Sequence, residues 1–204
     1  MIRNIVFDMG GVCIRFDPRA FIRRFGVSPE DEEILINEVY RSIEWAMMDR
    51  GRLQDEEAAK ILSERLPARL SDTVHKLVTN WDRPILPIDG MEELVRELKE
   101  NGYHLFLLSN ASTRQPEYWK KVPFADCFED TLISANVKLV KPMPEIYLEA
   151  YDRFHILPQE SIFIDDTPAN CEASQYTGMK AFVFNNDVQA LRRFLHAQGV
   201  RVSC

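Results

Sequence analysis

No stretch of this 204-residue chain holds the ~20 consecutive apolar residues that a bilayer-spanning helix needs. Positive charge is not in excess either: 25 Lys plus Arg face 32 Asp plus Glu, a formal net charge of −7. That balance gives no electrostatic footprint for nucleic acid and makes anionic membrane surfaces poor partners. Cysteine is sparse. The four residues Cys13, Cys127, Cys171 and Cys204 form no C-x-x-C pair, so neither a zinc site nor a disulfide scaffold is expected. Free thiols in a reducing compartment are the simpler reading. Met1 to Phe7 enters a strand pattern with no charged region followed by a cleavable apolar segment, which predicts a cytoplasmic protein. Internal repeats and low-complexity tracts are also absent.

What is present is an ordinary globular composition, 46% apolar and 28% charged. Five short runs read as parallel strands: Asn4–Asp8, His104–Asn110, Asp130–Ala135, Ser161–Asp166 and Lys180–Asn185. Apart from the edge-like third, they are nearly continuously apolar, as strands covered on both faces are. Helical patterns alternate with them from residue 90 onward, over 90–101, 144–154, 167–178 and 187–198. The expected fold is therefore α/β, a doubly wound, Rossmann-like parallel sheet core.

One interval breaks the alternation. After the first strand come only helical segments, over about Pro18–Phe25, Pro29–Asp49, Gln54–Leu66 and Ser71–Trp81. Roughly 70 residues of helix is too long for a plain crossover. It predicts an inserted helical cap at residues 16–87, with 1–15 and 88–204 forming the core.

In open α/β sheets, ligands bind beyond the carboxyl ends of the strands. The first strand ends in Asp8-Met9-Gly10-Gly11-Val12, and the second in Ser109-Asn110. Lys141-Pro142 follows the third. The fourth ends in Asp165-Asp166, with Asn170 in the first turn of the next helix. Gathered together, Asp8, Asp165 and Asp166 repel one another unless a cation compensates. Oxygen ligands without His or Cys select Mg²⁺. Lys141 adds a point charge, and Gly10 and Gly11 let the backbone turn and present N–H groups to an anion. An ionised Asp8 facing a phosphate so held is placed for nucleophilic attack, giving an aspartyl-phosphate.

Singly, each motif has a structural reading. Asp-x-Gly-Gly can be a plain turn, Ser109-Asn110 a helix cap, Lys141-Pro142 a solvated loop, and Asp165-Asp166 a capping pair. Their order and joint placement at strand ends carry the signal.

That combination resembles the haloacid dehalogenase (HAD) superfamily over nearly the whole chain, with the helical insertion similar to its C1 cap. The resemblance implies Asp8 as nucleophile and Lys141 stabilising nucleophile and phosphate. It implies Mg²⁺ held by Asp8, Asp166 and the Gly10 carbonyl, with Asp165 in or near that set. Ser109 and Asn110 would hold the phosphoryl group, and Asn170 would orient Lys141 or the cap-side network.

One departure matters. Phosphatases of this superfamily usually carry Asp-x-Asp, whose second Asp is the general acid and base; here that position is Gly10. Losing such a group costs about 10²–10⁴ in rate. The retained Asp165-Asp166 pair favours phosphorus over carbon as the electrophile. The sequence is most similar to the branch that includes α-glucose-1-phosphate phosphatases, which also have Asp-x-Gly. An anomeric oxygen leaves with less need of an acid. Asp17 is the nearest other carboxylate, and an N-cap role before Pro18 fits it better.

Substrate contacts beyond phosphate are expected from the turn Asp49-Arg50-Gly51-Arg52, with Arg50 on phosphate or sugar hydroxyls and Trp45 against a sugar face; solvated turn charges and cap packing are the alternatives. The expected function is a Mg²⁺-dependent phosphomonoester hydrolase of a small phosphorylated metabolite such as a sugar phosphate, a monomer or weak dimer. The competing reading is a phosphate-ligand-binding or regulatory protein weakened in catalysis by Gly10.

Overall fold

The computed structural model describes residues 1–203. Cys204, expected as a terminal free thiol, lies outside the described residues. Five parallel strands, β1 (Asn4–Phe7), β2 (His104–Ser109), β3 (Asp130–Ile133), β4 (Ser161–Asp165) and β5 (Lys180–Val183), form one sheet in the order β3-β2-β1-β4-β5. This is the expected doubly wound arrangement. It puts β1 at the centre, paired with β2 and β4 in registers that align Phe7 with Leu107 and Ile164. The strand ends that carry the chemistry are therefore neighbours.

Side chains alternate across the sheet, as the two-residue strand period requires. Ile5, Phe7, Leu105, Leu107, Ile162 and Ile164 face one apolar cluster, while Val6, Phe106, Leu108 and Phe163 face the other. On the first face lie α6 (Met91–Glu100) and α11 (Val188–Ala197), burying Leu94, Leu98, Leu191 and Leu195. On the second lies α9 (Pro144–Phe154), burying Ile146, Tyr147 and Ala150, and α10 (Pro168–Tyr176) packs beside it.

Each strand stops one or two residues earlier than expected, and beyond β1, β2 and β4 the chain turns into the site. The third run bends at Ser134 into a short helix, α8 (Ser134–Val137), so Ala135 is helical. The reading of β5 as covered on both faces is also corrected. It is the second edge strand, and its four residues are partly or largely exposed. A further short helix, α7 (Gln115–Trp119), follows β2.

Between β1 and α6 the chain is helical, as expected: α1 (Pro18–Arg23), α2 (Pro29–Leu35), α3 (Ile43–Asp49), α4 (Asp55–Arg65) and α5 (Ser71–Thr79). The single helix expected over Pro29–Asp49 is broken. It widens into a π turn at Ile36–Tyr40, and Ser42 then takes an extended conformation and caps α3, its Oγ accepting from the Trp45 N–H at 3.1 Å. A side-chain cap of this kind favours a fresh helix start. Asp17 caps α1, accepting from Ala20 N–H at 3.1 Å. Cys13, Cys127 and Cys171 are buried free thiols, and His75, His104, His155 and His196 are all exposed. No helix of the described residues is long and apolar enough to cross a membrane.

A buried ionic cluster ties this helical insertion to the loop after β2. Arg114 reaches Asp82 at 2.8 Å and Asp55, at the start of α4, at 3.2 Å, and its guanidinium lies over the Tyr118 ring. Lys121 adds a longer contact to Asp82 at 3.5 Å. The Asp82 side chain is completely shielded from solvent, so removing its main partner strands a buried charge. Arg114→Ala should lower stability by about 3–5 kcal/mol. Arg153→Ala, which breaks the exposed pair with Asp130, should cost under about 1 kcal/mol. Urea unfolding of the two variants checks the contrast, and equal midpoints would contradict the clamp.

Candidate active site

The site begins where β1 ends. The Asp8 N–H donates to Ile164 O at 2.8 Å, extending the β1–β4 pairing one residue past the strand. The chain then folds back: Gly11 N–H donates to Ile14 O, and Cys13 and Ile14 N–H both donate to Met9 O. Gly11 sits at φ +76°, and a Cβ there would lie 2.3 Å from Asp166 Oδ2. Glycine is needed for both the turn and the approach of that carboxylate.

Lys141 is buried and its ammonium is fully used. It lies 2.8 Å from Asp8 Oδ1, and it donates to Asp165 Oδ2 at 2.7 Å and to Leu108 O at 3.0 Å. Burial works against its charge, but Asp8 and Asp165 outweigh burial and hold its pKa above the usual lysine value. Its main chain is clamped by Asn110, whose Oδ1 accepts from Lys141 N–H at 2.8 Å and whose Nδ2 donates to Lys141 O at 3.0 Å.

Asp165 is wholly buried. It accepts from Lys141, from Asn170 Nδ2 at 3.0 and 3.1 Å, and from Thr167 N–H at 2.8 Å. Its carboxylate is spent on orienting the others. Asp166 stands exposed at the rim.

The sequence expectations meet this geometry unevenly. Asp8, Lys141, Asp165 and Asp166 converge as expected, and Ser109 and the Gly10 backbone line the same cavity. Asn110 borders it too, but its amide serves Lys141 rather than a ligand. Asn170 reaches neither a phosphate position nor Lys141 itself: its amide is engaged on Asp165, which in turn accepts from Lys141. Arg50 is corrected as well. It is exposed and does not line the cavity. The turn does enter the site, but through its neighbour Asp49, since Gly51 at φ +62° packs so closely on Ala135 that a Cβ would lie 2.0 Å from its carbonyl oxygen. Nothing in the spacing distinguishes which of two adjacent turn residues faces inward. Asp55 was also missed, lying at a helix start with no motif around it.

The cavity encloses about 230 Å³. Its lining includes four carboxylates, Asp8, Asp49, Asp55 and Asp166, and four aromatic rings, Phe16, Trp45, Trp81 and Tyr118. Trp45 thus both packs in the helical insertion, 4.7 Å from the Tyr40 ring, and borders the cavity.

Carboxylate oxygens of Asp8, Asp165 and Asp166 lie within 4.8 Å of one another. Burial, with the Asp165 charge beside it, pushes the Asp8 carboxyl up to about 7 despite Lys141. Burial and Asp165 raise Asp166 too. Three carboxylates against one ammonium leave negative charge that a hard divalent cation would neutralise, so the donor set fits Mg²⁺. A carboxyl raised in the folded state carries its penalty above its folded pKa and loses it as pH falls toward the unfolded value. Mg²⁺ at about 100 times its Kd should therefore raise the melting temperature at pH 8 by roughly 5–10 °C. The shift should shrink at pH 5, where a proton competes for Asp8. A thermal melt at both pH values checks this, and an equal shift, or none, would contradict it.

A family model for haloacid dehalogenase-like hydrolase matches residues 2–178. The chain is 25% identical over 191 residues to a D-ribitol-5-phosphate phosphatase of Bacteroides thetaiotaomicron, covering 89% of this chain and 91% of that protein. It is 28% identical over 177 residues to a sesquiterpene phosphatase of Aspergillus oryzae, covering 85% of each. A magnesium complex of a HAD family enzyme from Bacteroides thetaiotaomicron superposes with a TM-score of 0.70 at 25% identity, over 94% of this chain and 98% of that one. The family match runs from the strand that delivers Asp8 to the end of the helix that steadies Asp165, and the chain belongs to the haloacid dehalogenase-like hydrolases.

Proposed function

We propose that the protein is a Mg²⁺-dependent phosphomonoester hydrolase working through an aspartyl-phosphate on Asp8. The observation that carries the reading is the Asp8–Lys141 pair at 2.8 Å at the base of the cavity, with Asp166 beside it. Lys141 holds Asp8 in one orientation and favours its ionised form, the form that attacks. Asp165 and Asn170 fix Lys141 in turn. Ser109 and the Gly10 N–H would face the phosphoryl oxygens, the Gly11 N–H being spent on Ile14 O. Asp8, Asp166 and the Gly10 carbonyl would hold Mg²⁺, which when bound neutralises charge on the phosphoryl group and the carboxylates. Residues 16–87 form the cap and 1–15 with 88–204 the catalytic core, so the aromatic wall contributed by the cap receives the leaving group.

That wall also bears on the substrate. Among the described residues lining the cavity there is no Lys or Arg, while four are Asp. A second phosphate or carboxylate on the leaving group would find no cationic side chain on the cavity lining to receive it. The favoured class is a neutral polyol or sugar monophosphate whose C–H face rests on Trp45 and Phe16. The D-ribitol-5-phosphate phosphatase among the relatives supports this. Gly10 favours esters with good leaving oxygens, anomeric phosphates among them, unless another acid is supplied.

Phosphate release from a panel of polyol, sugar, terpenyl and nucleoside monophosphates, with phosphoglycolate and sugar bisphosphates as anionic counterparts, tests the reading. Release should need Mg²⁺, stop with EDTA, favour the uncharged leaving groups at least about tenfold, and fall more than about 10³-fold in Asp8→Asn. Mg²⁺-dependent binding of orthophosphate without turnover of any ester would instead favour a phosphate-ligand-binding protein.

A further inference from the structure

Gly10 leaves the hydrolase reading without a proton donor, and the cavity itself offers four carboxylates. Three are occupied. Asp8 is paired with Lys141. Asp55 accepts from Ser112 Oγ at 3.0 Å and from Arg114 at 3.2 Å. Asp166 belongs to the acidic triad that fits the metal. Asp49 is different: among the described residues none donates to its carboxylate, although its main chain is held firmly. Ser134 Oγ donates to Asp49 O at 2.6 Å and itself accepts from Ala111 N–H at 2.9 Å, two residues past Ser109. Gly51 locks the same turn against Ala135. The turn is thus anchored to α8 and to the loop that carries the phosphate-facing serine.

We infer that Asp49 is the general acid and base of this site, delivered from the helical insertion in place of the missing side chain at Gly10; the assignment rests on the hydrolase reading above. A side chain at Gly10 would be tight, since a Cβ there would lie 3.3 Å from the Phe16 Cβ, which would have to give by a few tenths of an ångström. Phe16 borders the cavity beside Gly10, and Asp49 lines the same cavity from the end of α3. Burial, with the Asp55 and Asp8 charges facing it and Lys141 acting against them, pushes the Asp49 carboxyl up to about 7. A group titrating there can both give and take a proton near neutral pH.

The proton balance closes. An Asp8 oxygen bonds to phosphorus as the ester P–O bond breaks; the electron pair goes to the departing oxygen, which takes the Asp49 proton. A water oxygen then bonds to phosphorus and one of its protons passes to the Asp49 carboxylate. The bond from phosphorus to Asp8 breaks, its electron pair returning to Asp8. One ester and one water are consumed, one alcohol and one hydrogen phosphate are released, and Asp49 ends protonated as it began.

The test compares Asp49→Asn with wild type on benzyl phosphate and p-nitrophenyl phosphate, two esters of similar shape. Benzyl alkoxide needs a proton to leave; p-nitrophenolate does not. Asp49→Asn keeps the shape and the main-chain bond to Ser134. On benzyl phosphate kcat should fall about 10²–10⁴-fold. On p-nitrophenyl phosphate the variant should show a rapid burst of one nitrophenol per site, then slow turnover, because water attack has lost its base. Unchanged kcat on benzyl phosphate, or an equal loss on both esters without a burst, would overturn the role of Asp49 while leaving the hydrolase reading intact. Wild-type protein that releases phosphate from neither ester in Mg²⁺ would overturn both.

Discussion

The Lys141 ammonium is the contact on which the rest of the site depends. It touches three strand ends at once: Asp8 after β1, the Leu108 carbonyl on β2 and Asp165 at the end of β4. All three of its protons are used, so its position is set by the sheet rather than by its own flexible stem. A buried lysine is costly to charge alone; two carboxylates within hydrogen-bond reach reverse that cost. The same pair of contacts puts Asp8 at a fixed angle and consumes Asp165 as a support. What remains uncompensated around Asp8, Asp165 and Asp166 is negative, which is why the donor set fits a hard cation.

The helical insertion is coupled to this centre at two places with different physics. Arg114 with Asp55 and Asp82 is an ionic clamp whose strength comes from burial, since a broken partner leaves a stranded charge. Ser134, Gly51 and Ala135 form a steric and hydrogen-bonded stop that sets the height of the Asp49 turn above the cavity. The first sets stability and the second sets reach. Together they explain how Asp49, some forty positions along the chain from Asp8, lines the same cavity.

Much of the core was legible because parallel strands buried on both faces read as continuous apolar runs, and because the order of Asp8, Ser109, Lys141 and Asp165-Asp166 follows the strand ends. Strand boundaries ran long because residues such as Asn110 and Ser134 continue the run in sequence but leave the ladder in space. β5 misled because its apolar Phe182 and Val183 lie on an edge. Polar bookkeeping was the larger blind spot. Spacing places Asn110 and Asn170 at the site, yet only coordinates reveal that one amide holds the Lys141 main chain and the other the Asp165 carboxylate. Arg50 and Asp49 differ by one position, and the turn geometry that chooses between them is set by Ala135, distant in sequence.

The central claim is that Asp8, held by Lys141, becomes covalently phosphorylated. Rapid mixing of the protein with Mg²⁺ and p-nitrophenyl phosphate, an acid quench within the first turnover, and peptide mapping by mass spectrometry tests it most directly. The account predicts one phosphoryl group on the peptide that carries Asp8, absent from Asp8→Asn. Phosphate released in the first turnover with no modified carboxylate, or with the label on another residue, would contradict it.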